Sequence, residues 1–334
     1  MSSPREAIQN SVPHTRAGNG IVLEDLKRFG PDANFPPLNL AQSKKYCKTL
    51  ADRHYENFSI ASLLVPRAIR QDFFNVYAFC RWSDDLADEL GDSAKSLRYL
   101  GWWQQQLQEC FHGKASHPVF LALEESIRIH GLPIKPFQDL LEAFVQDQHT
   151  TRYSTDEDVL GYCRGSANPV GRILLQFGKV DSDHAKQLSD QICTGLQIAN
   201  FCQDIRQDAL RGRIYLPKER WVQYPITENE ILTGNVSCNL VHAMQDWVST
   251  AQSHLVAGLP LVEHVPRWLA RDIQLCARGG LTVLENISNV GFDVWTQPIE
   301  VTRKQKVRLL LQAILRPRSL ELTGFNNLAG PILV

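Results

Sequence analysis

A chain of 334 residues, 43% hydrophobic and 21% charged, has the balance of a globular protein long enough to bury a large core. Its 35 basic and 36 acidic residues leave a formal net charge of −1, so nothing in the total points to nucleic acid or to an anionic membrane as a partner. Eight scattered cysteines with no C-x-x-C pair argue against a zinc site or redox dithiol, and read as buried free thiols in a reducing compartment.

Residues 1–37 end in Phe29-Gly30-Pro31-Asp32-Ala33-Asn34-Phe35-Pro36-Pro37, which is turn chemistry, and read as a flexible arm. Met1 to Gly20 contain no apolar stretch of the secretory kind. No apolar run of about 18 residues predicts a membrane span anywhere. Beyond the arm the pattern is helical. Leu100, Trp103, Leu107 and Cys110 share one helix face, as do Phe137, Leu140, Leu141, Phe144 and Val145, and Leu188, Ile192, Leu196 and Ala199. Proline and glycine fall between these blocks, at His117-Pro118, Gly131-Leu132-Pro133, Gly178 and Tyr215-Leu216-Pro217, and strand-like alternation is scarce. The expectation is an all-α protein, one helical domain over 38–320 around a central cavity, with a short apolar tail at 321–334.

Two acidic stretches stand out. In Tyr77-Ala78-Phe79-Cys80-Arg81-Trp82-Ser83-Asp84-Asp85-Leu86-Ala87-Asp88-Glu89, helical geometry puts Asp84 and Asp88 one turn apart on one face, with Arg81 and Tyr77 continuing it. In Asn200-Phe201-Cys202-Gln203-Asp204-Ile205-Arg206-Gln207-Asp208, three oxygen-bearing side chains follow at i, i+4, i+8, and Gln197 precedes them. Mg²⁺ takes oxygen ligands, commonly one or two carboxylates plus substrate phosphates. Arg206, Arg211 and Arg213 are expected to surround the second face with positive charge, and Arg81 to reach phosphate directly. A single acidic helix face is usually just solvated; two such faces with arginines nearby favour metal–diphosphate chemistry.

These residues, with His54…Phe58, the block Tyr162-Cys163-Arg164-Gly165-Ser166-Ala167-Asn168-Pro169-Val170-Gly171 and Arg213-Ile214-Tyr215-Leu216-Pro217, resemble the head-to-head isoprenoid synthases, the squalene and phytoene synthase family. The resemblance runs over roughly residues 45 to 290. It implies the isoprenoid synthase fold, with Mg²⁺ at Asp84, Asp88, Asn200, Asp204 and Asp208. It implies a catalytic role for Tyr162 and those aspartates. The implied substrate surface is His54, Asn57, Phe58, Tyr77, Arg81, Ser166, Ala167, Val170, Gly171, Gln197, Asn200 and Arg213. The substrate would be an isoprenoid diphosphate, with no nucleic acid partner and pathway enzymes of squalene and hopanoid synthesis as neighbours. An apolar product points to a cytoplasmic protein in peripheral contact with the inner face of a membrane.

The chain departs from the common pattern twice. It reads Tyr55-Glu56-Asn57-Phe58 where the family has Ser-x-Ser-Phe, and Gln203 where the family has arginine. Both resemble the hydroxysqualene synthase branch, which converts presqualene diphosphate and water to hydroxysqualene and diphosphate. No G-x-G-x-x-G follows a strand, and NADPH is not expected. The rival reading is a condensing synthase that makes presqualene diphosphate, squalene or phytoene. A terpene cyclase would share the Asn200, Asp204, Asp208 spacing, but the block from Tyr162 to Gly171 argues against it. A non-catalytic helical interaction protein would be expected to have lost acids that both patches keep.

Overall fold

The computed structural model describes residues 21–53 and 64–320; His54, Asn57 and Phe58 lie outside them. In chain order the helices are α1 (Ile21–Phe29), α2 (Leu40–Arg53), α3 (Arg70–Asp88), α4 (Ser93–Phe111), α5 (Pro118–His130), α6 (Lys135–Gln146), α7 (Asp156–Ser166), α8 (Asn168–Phe177), α9 (Asp183–Leu210), α10 (Lys218–Gln223), α11 (Glu228–Thr233), α12 (Cys238–Gly258), α13 (Arg267–Asn289) and α14 (Arg303–Leu315). Among the described residues, β-pairing is confined to an isolated parallel bridge between Arg152 and Ile214.

The punctuation seen in the sequence sets the helix ends. Pro118 opens α5 behind His117, whose side chain accepts from Val119 N–H, and Gly131 closes it in the left-handed conformation at φ 63°. Thr155, Thr227 and Thr302 each form a capping box that satisfies the first N–H groups of α7, α11 and α14. Ala167 sits at the break between α7 and α8, where Pro169 starts a new helix.

The apolar stripes are buried as their periodicity predicts: Leu100, Trp103, Leu107 and Cys110 on α4, and Phe137, Leu140 and Leu141 on α6. Two large hydrophobic clusters result. One gathers α1 to α6 with part of α8 around Phe79, Trp82, Trp103 and Phe120. The other gathers α7 and α9 to α13 around Phe201, Ile205, Trp247 and Leu281. The long α9 is the spine of the second. At Gly195 a Cβ would lie 2.8 Å from the Leu255 backbone nitrogen, and at Gly258 it would strike Ile192, so these two glycines let α9 and α12 pack backbone to backbone. On α13 four polar residues are buried: Gln274, Arg278 and Thr282 are hydrogen-bonded, whereas Asp272 is 4% exposed and its Oδ1 has no hydrogen-bond partner.

The N-terminal segment differs from the expectation of a loose arm. Within 21–37, α1 is docked: Phe29 is 2% exposed and meets Phe35 and Tyr46 edge-on. The Tyr46 hydroxyl donates to Asp25 at 2.7 Å and accepts from Trp82 Nε1 at 2.9 Å, tying the arm to α2 and α3. The thiols also divide: Cys47, Cys110, Cys163 and Cys202 are buried, whereas Cys238 is exposed at the start of α12.

Candidate active site

On α3 the residues Phe73, Phe74, Val76, Phe79, Trp82 and Leu86 go into the core. Tyr77, Arg81, Asp84 and Asp88 are left along one half-buried stripe. Asp85 points inward, 2% exposed, and is ion-paired with Arg81, which also lies 3.5 Å from Asp84. Burial pushes the Asp85 carboxyl up to about 7 against the pull of Arg81. Asp84 is raised as well, by burial, opposed by Arg81 and helped by the negative charge of Asp88.

On α9 the pattern repeats. Ile198, Ala199, Phe201, Cys202 and Ile205 are buried, and Gln197, Asn200, Asp204 and Asp208 share the other side. Burial and then Asp204 push Asp208 up to about 7, while Arg211 and Arg213 pull it down. The chain then turns at Gly212, whose φ of 84° requires glycine. Arg152 braces this turn by donating to the Gly212 carbonyl at 2.6 Å, and Ile214 N–H donates to the Thr151 carbonyl at 3.0 Å. Arg213 is thereby aimed back at the first patch, where it holds Asp88 at 2.9 Å, with Arg211 at 3.7 Å.

The two faces meet across a cavity of about 300 Å³. Asp84 and Asp88 line one side; Gln197, Asn200, Asp204 and Asp208 line the other; Arg211 and Arg213 stand with them. Leu140, Ala143, Phe144 and Phe201 supply apolar wall, and Tyr162 and Ser166 complete it with Asp147 and Tyr215. Asp147 and Tyr215 were not singled out from the sequence as site residues. Asp147 accepts from the Tyr162 hydroxyl at 2.7 Å and from Tyr215 at 3.3 Å, and Tyr215 stacks on Phe201 at 3.9 Å. Burial raises Asp147 to about 6, against the Tyr162 hydrogen bond and Arg213, and burial drives the Tyr162 phenol well above its usual range. A lone aspartate one residue past α6 has no spacing pattern to announce it; only the fold brings it beneath Tyr162.

Other expected site residues are not in the lining of this cavity, although Arg81 lies 3.5 Å from Asp84, which lines it. Tyr77, Arg81, Ala167, Val170 and Gly171 do not line this cavity. A Cβ on Gly171 would collide with Ser189 and Cys193, so it serves the approach of α8 to α9. Val170 is 38% exposed. Arg206 does not join the acidic face: it is exposed and donates to the Trp295 carbonyl at 2.8 Å. Gln203 likewise turns away and donates to the Ile299 carbonyl at 2.8 Å.

The donor set suits a hard cation that arrives with its substrate. Among the described residues no three carboxylates, thiols or imidazoles converge into a closed metal cage. Instead carboxylates crowd in pairs: burial raises Asp84 and Asp208, and the charge of Asp88 and Asp204 adds to it. Such half-complete oxygen sets fit Mg²⁺ bridged to phosphate, which keeps several non-protein ligands.

A helical cavity with facing carboxylates, arginines beside them and aromatic walls has the layout of a site for a diphosphate with an apolar chain. Residues 51–309 match the squalene/phytoene synthase family, and the chain belongs to it. It is 27% identical to the 15-cis-phytoene synthase of Synechococcus elongatus over 293 residues, 83% of this chain and 94% of that protein. It is 28% identical to the presqualene diphosphate synthase of Rhodopseudomonas palustris over 258 residues, 77% of this chain and 92% of that one. The crystal structure of squalene synthase HpnC from Alicyclobacillus acidocaldarius superposes with a TM-score of 0.73 at 39% identity, covering 76% of this chain and 95% of that one. A dehydrosqualene synthase at 22% identity and a TM-score of 0.75 shares the fold. The chain is thus an enzyme of head-to-head prenyl-diphosphate chemistry.

Proposed function

We propose that this protein ionises a prenyl diphosphate in the cavity between α3 and α9 and steers the carbocation to a head-to-head triterpenoid-type product. The observation that carries the reading is the meeting of the two acidic faces under Arg211 and Arg213. Asp84, Asp88, Asn200, Asp204 and Asp208 would hold Mg²⁺, which neutralises the departing diphosphate when bound. Arg213 and Arg211 bind diphosphate oxygens, and the Gln197 and Asn200 amides orient the chain beside them. Phe201, Phe144 and Leu140 exclude bulk water from the cation. The face of Phe201 that Tyr215 does not cover stabilises it. The Tyr162 hydroxyl donates to Asp147, so its oxygen lone pairs are left to accept a hydrogen bond from water or to face the cation.

The relatives best support condensation of two prenyl diphosphates. The second reading is water capture by presqualene diphosphate to give hydroxysqualene. It is favoured by the polar Asp147–Tyr162–Tyr215 group that can hold a water. Gln203 discriminates less than its position suggests, because it bonds to a distant carbonyl. Neither condensation to presqualene diphosphate nor water capture consumes a reductant, whereas an ending at squalene would need hydride, which the NADPH arms of the test report.

The test supplies purified protein and Mg²⁺ with farnesyl diphosphate or with presqualene diphosphate, each with and without NADPH. Presqualene diphosphate formed from farnesyl diphosphate supports condensation. A C30 alcohol made from presqualene diphosphate alone supports water capture. Release of diphosphate from neither substrate refutes both.

A further inference from the structure

The exposed apolar side chains of this protein are unevenly placed. Val307, Leu311, Ile314 and Leu315 are 58%, 53%, 36% and 73% exposed, and Leu320 just beyond them is 42% exposed. The first four fall at i, i+4, i+7 and i+8 of α14, which puts them on one outward face. The opposite face, with Leu309 at 6% and Ala313 at 0%, is buried, where α14 packs on α13. The helix is therefore apolar on both sides, and among the described residues only one side is covered.

Charge says what the other side fits. Between Thr302 and Leu320 lie Arg303, Lys304, Lys306, Arg308, Arg316 and Arg318 and no acidic residue, in a chain whose net charge is −1. At 100° per residue, Arg303 and Arg308 flank the apolar stripe on its two sides. At the helix end, Arg267, Arg316 and Arg318 line one depression of about 400 Å³ with Pro317 and Ser319, a size suited to a phosphate headgroup. A second copy of the same face would bring six positive charges against six, which disfavours self-association.

We propose that the outward face of α14 is a docking surface for an anionic lipid bilayer, with Val307, Leu311, Ile314 and Leu315 entering the headgroup boundary and the flanking arginines and lysines meeting lipid phosphates. Among the described residues no helix is long and apolar enough to cross a membrane. Binding is thus interfacial, weak per residue and sensitive to salt. The proposal is independent of which product the cavity makes.

Flotation of the full chain with Mg²⁺ and vesicles tests it, comparing phosphatidylglycerol–phosphatidylcholine mixtures with phosphatidylcholine alone. The protein floats with the anionic vesicles and is released by about 1 M salt. Leu311→Glu with Leu315→Glu, and separately Arg303→Gln with Arg308→Gln, each lower the partition by about tenfold or more, while activity on detergent-dispersed substrate stays as in the wild type. The proposal is overturned by equal flotation with neutral vesicles, by wild-type flotation of both double variants, or by binding only after residues 321–334 are removed, which would make the tail the occupant. Concentration-dependent dimerisation lost in the Leu311/Leu315 variant would also overturn it, by making a second copy the partner.

Discussion

Asp272 offers a test of the structure away from the candidate site. Its carboxyl is buried on α13, its Oδ1 is without a partner, and burial alone pushes it from the ordinary 3.8 up to about 7. That difference corresponds to ~4 kcal/mol between the two protonation states. The folded protein keeps this proton up to about pH 7, whereas the unfolded chain releases it near 3.8. Between those values the folded state binds more protons, so this residue's effect on stability worsens as pH rises through the window and is level above it. Asp272→Asn keeps the size and removes the titration. Urea unfolding of wild type and variant at about pH 5 and about pH 8.5 should show the variant gaining ~3 kcal/mol on the wild type between the two. All other titrating groups cancel in that comparison. Parallel stability curves for the two proteins would refute the placement of a solitary buried carboxyl on α13.

Three further outcomes follow from the geometry. Arg213→Gln takes from Asp88 its nearer arginine and would remove the phosphate contact proposed for Arg213, so kcat/KM should fall by ~100-fold, with Arg213→Lys restoring only part because a point charge replaces a guanidinium fork; steady-state kinetics would show it. Asp147→Asn and Tyr162→Phe should each lower kcat by ~10-fold, and the double variant should be little worse than either, since both act on one hydrogen bond; additive losses would separate their roles. Gly195→Val should cost ~3 kcal/mol or more in thermal unfolding because its side chain meets the α12 backbone, whereas Gly279→Ala, whose added carbon meets nothing, should be neutral or gain ~0.5 kcal/mol.

The helical architecture was readable because its signals are local. Leu100 to Cys110 repeat at the period of the helix they form, and His117-Pro118 and Gly131 mark ends that their own backbone chemistry dictates. The facing acids were readable for the same reason, as spacing along one helix. What spacing could not show was direction across the fold. Arg206 and Gln203, each beside or between the facing acids in sequence, turn from the cavity to the carbonyls of Trp295 and Ile299. Asp147 reaches Tyr162 only through the packing of α6 on α7. Residues 21–37 looked loose because proline and glycine are frequent there, although the aromatic residues among them, Phe29 and Phe35, were enough to dock the segment.

The two acidic faces belong to different hydrophobic clusters, α3 to one and α9 to the other. A diphosphate drawn in between them acts as a rivet across the seam. Its binding free energy adds to the cohesion of two separately packed halves, so the loaded enzyme should unfold at higher temperature and more nearly as one unit. A condensation product that keeps a diphosphate would stay fastened to both faces until it is released. An ending that expels diphosphate would leave the product held by apolar contacts alone, so the lifetime of the rivet would differ between the two readings.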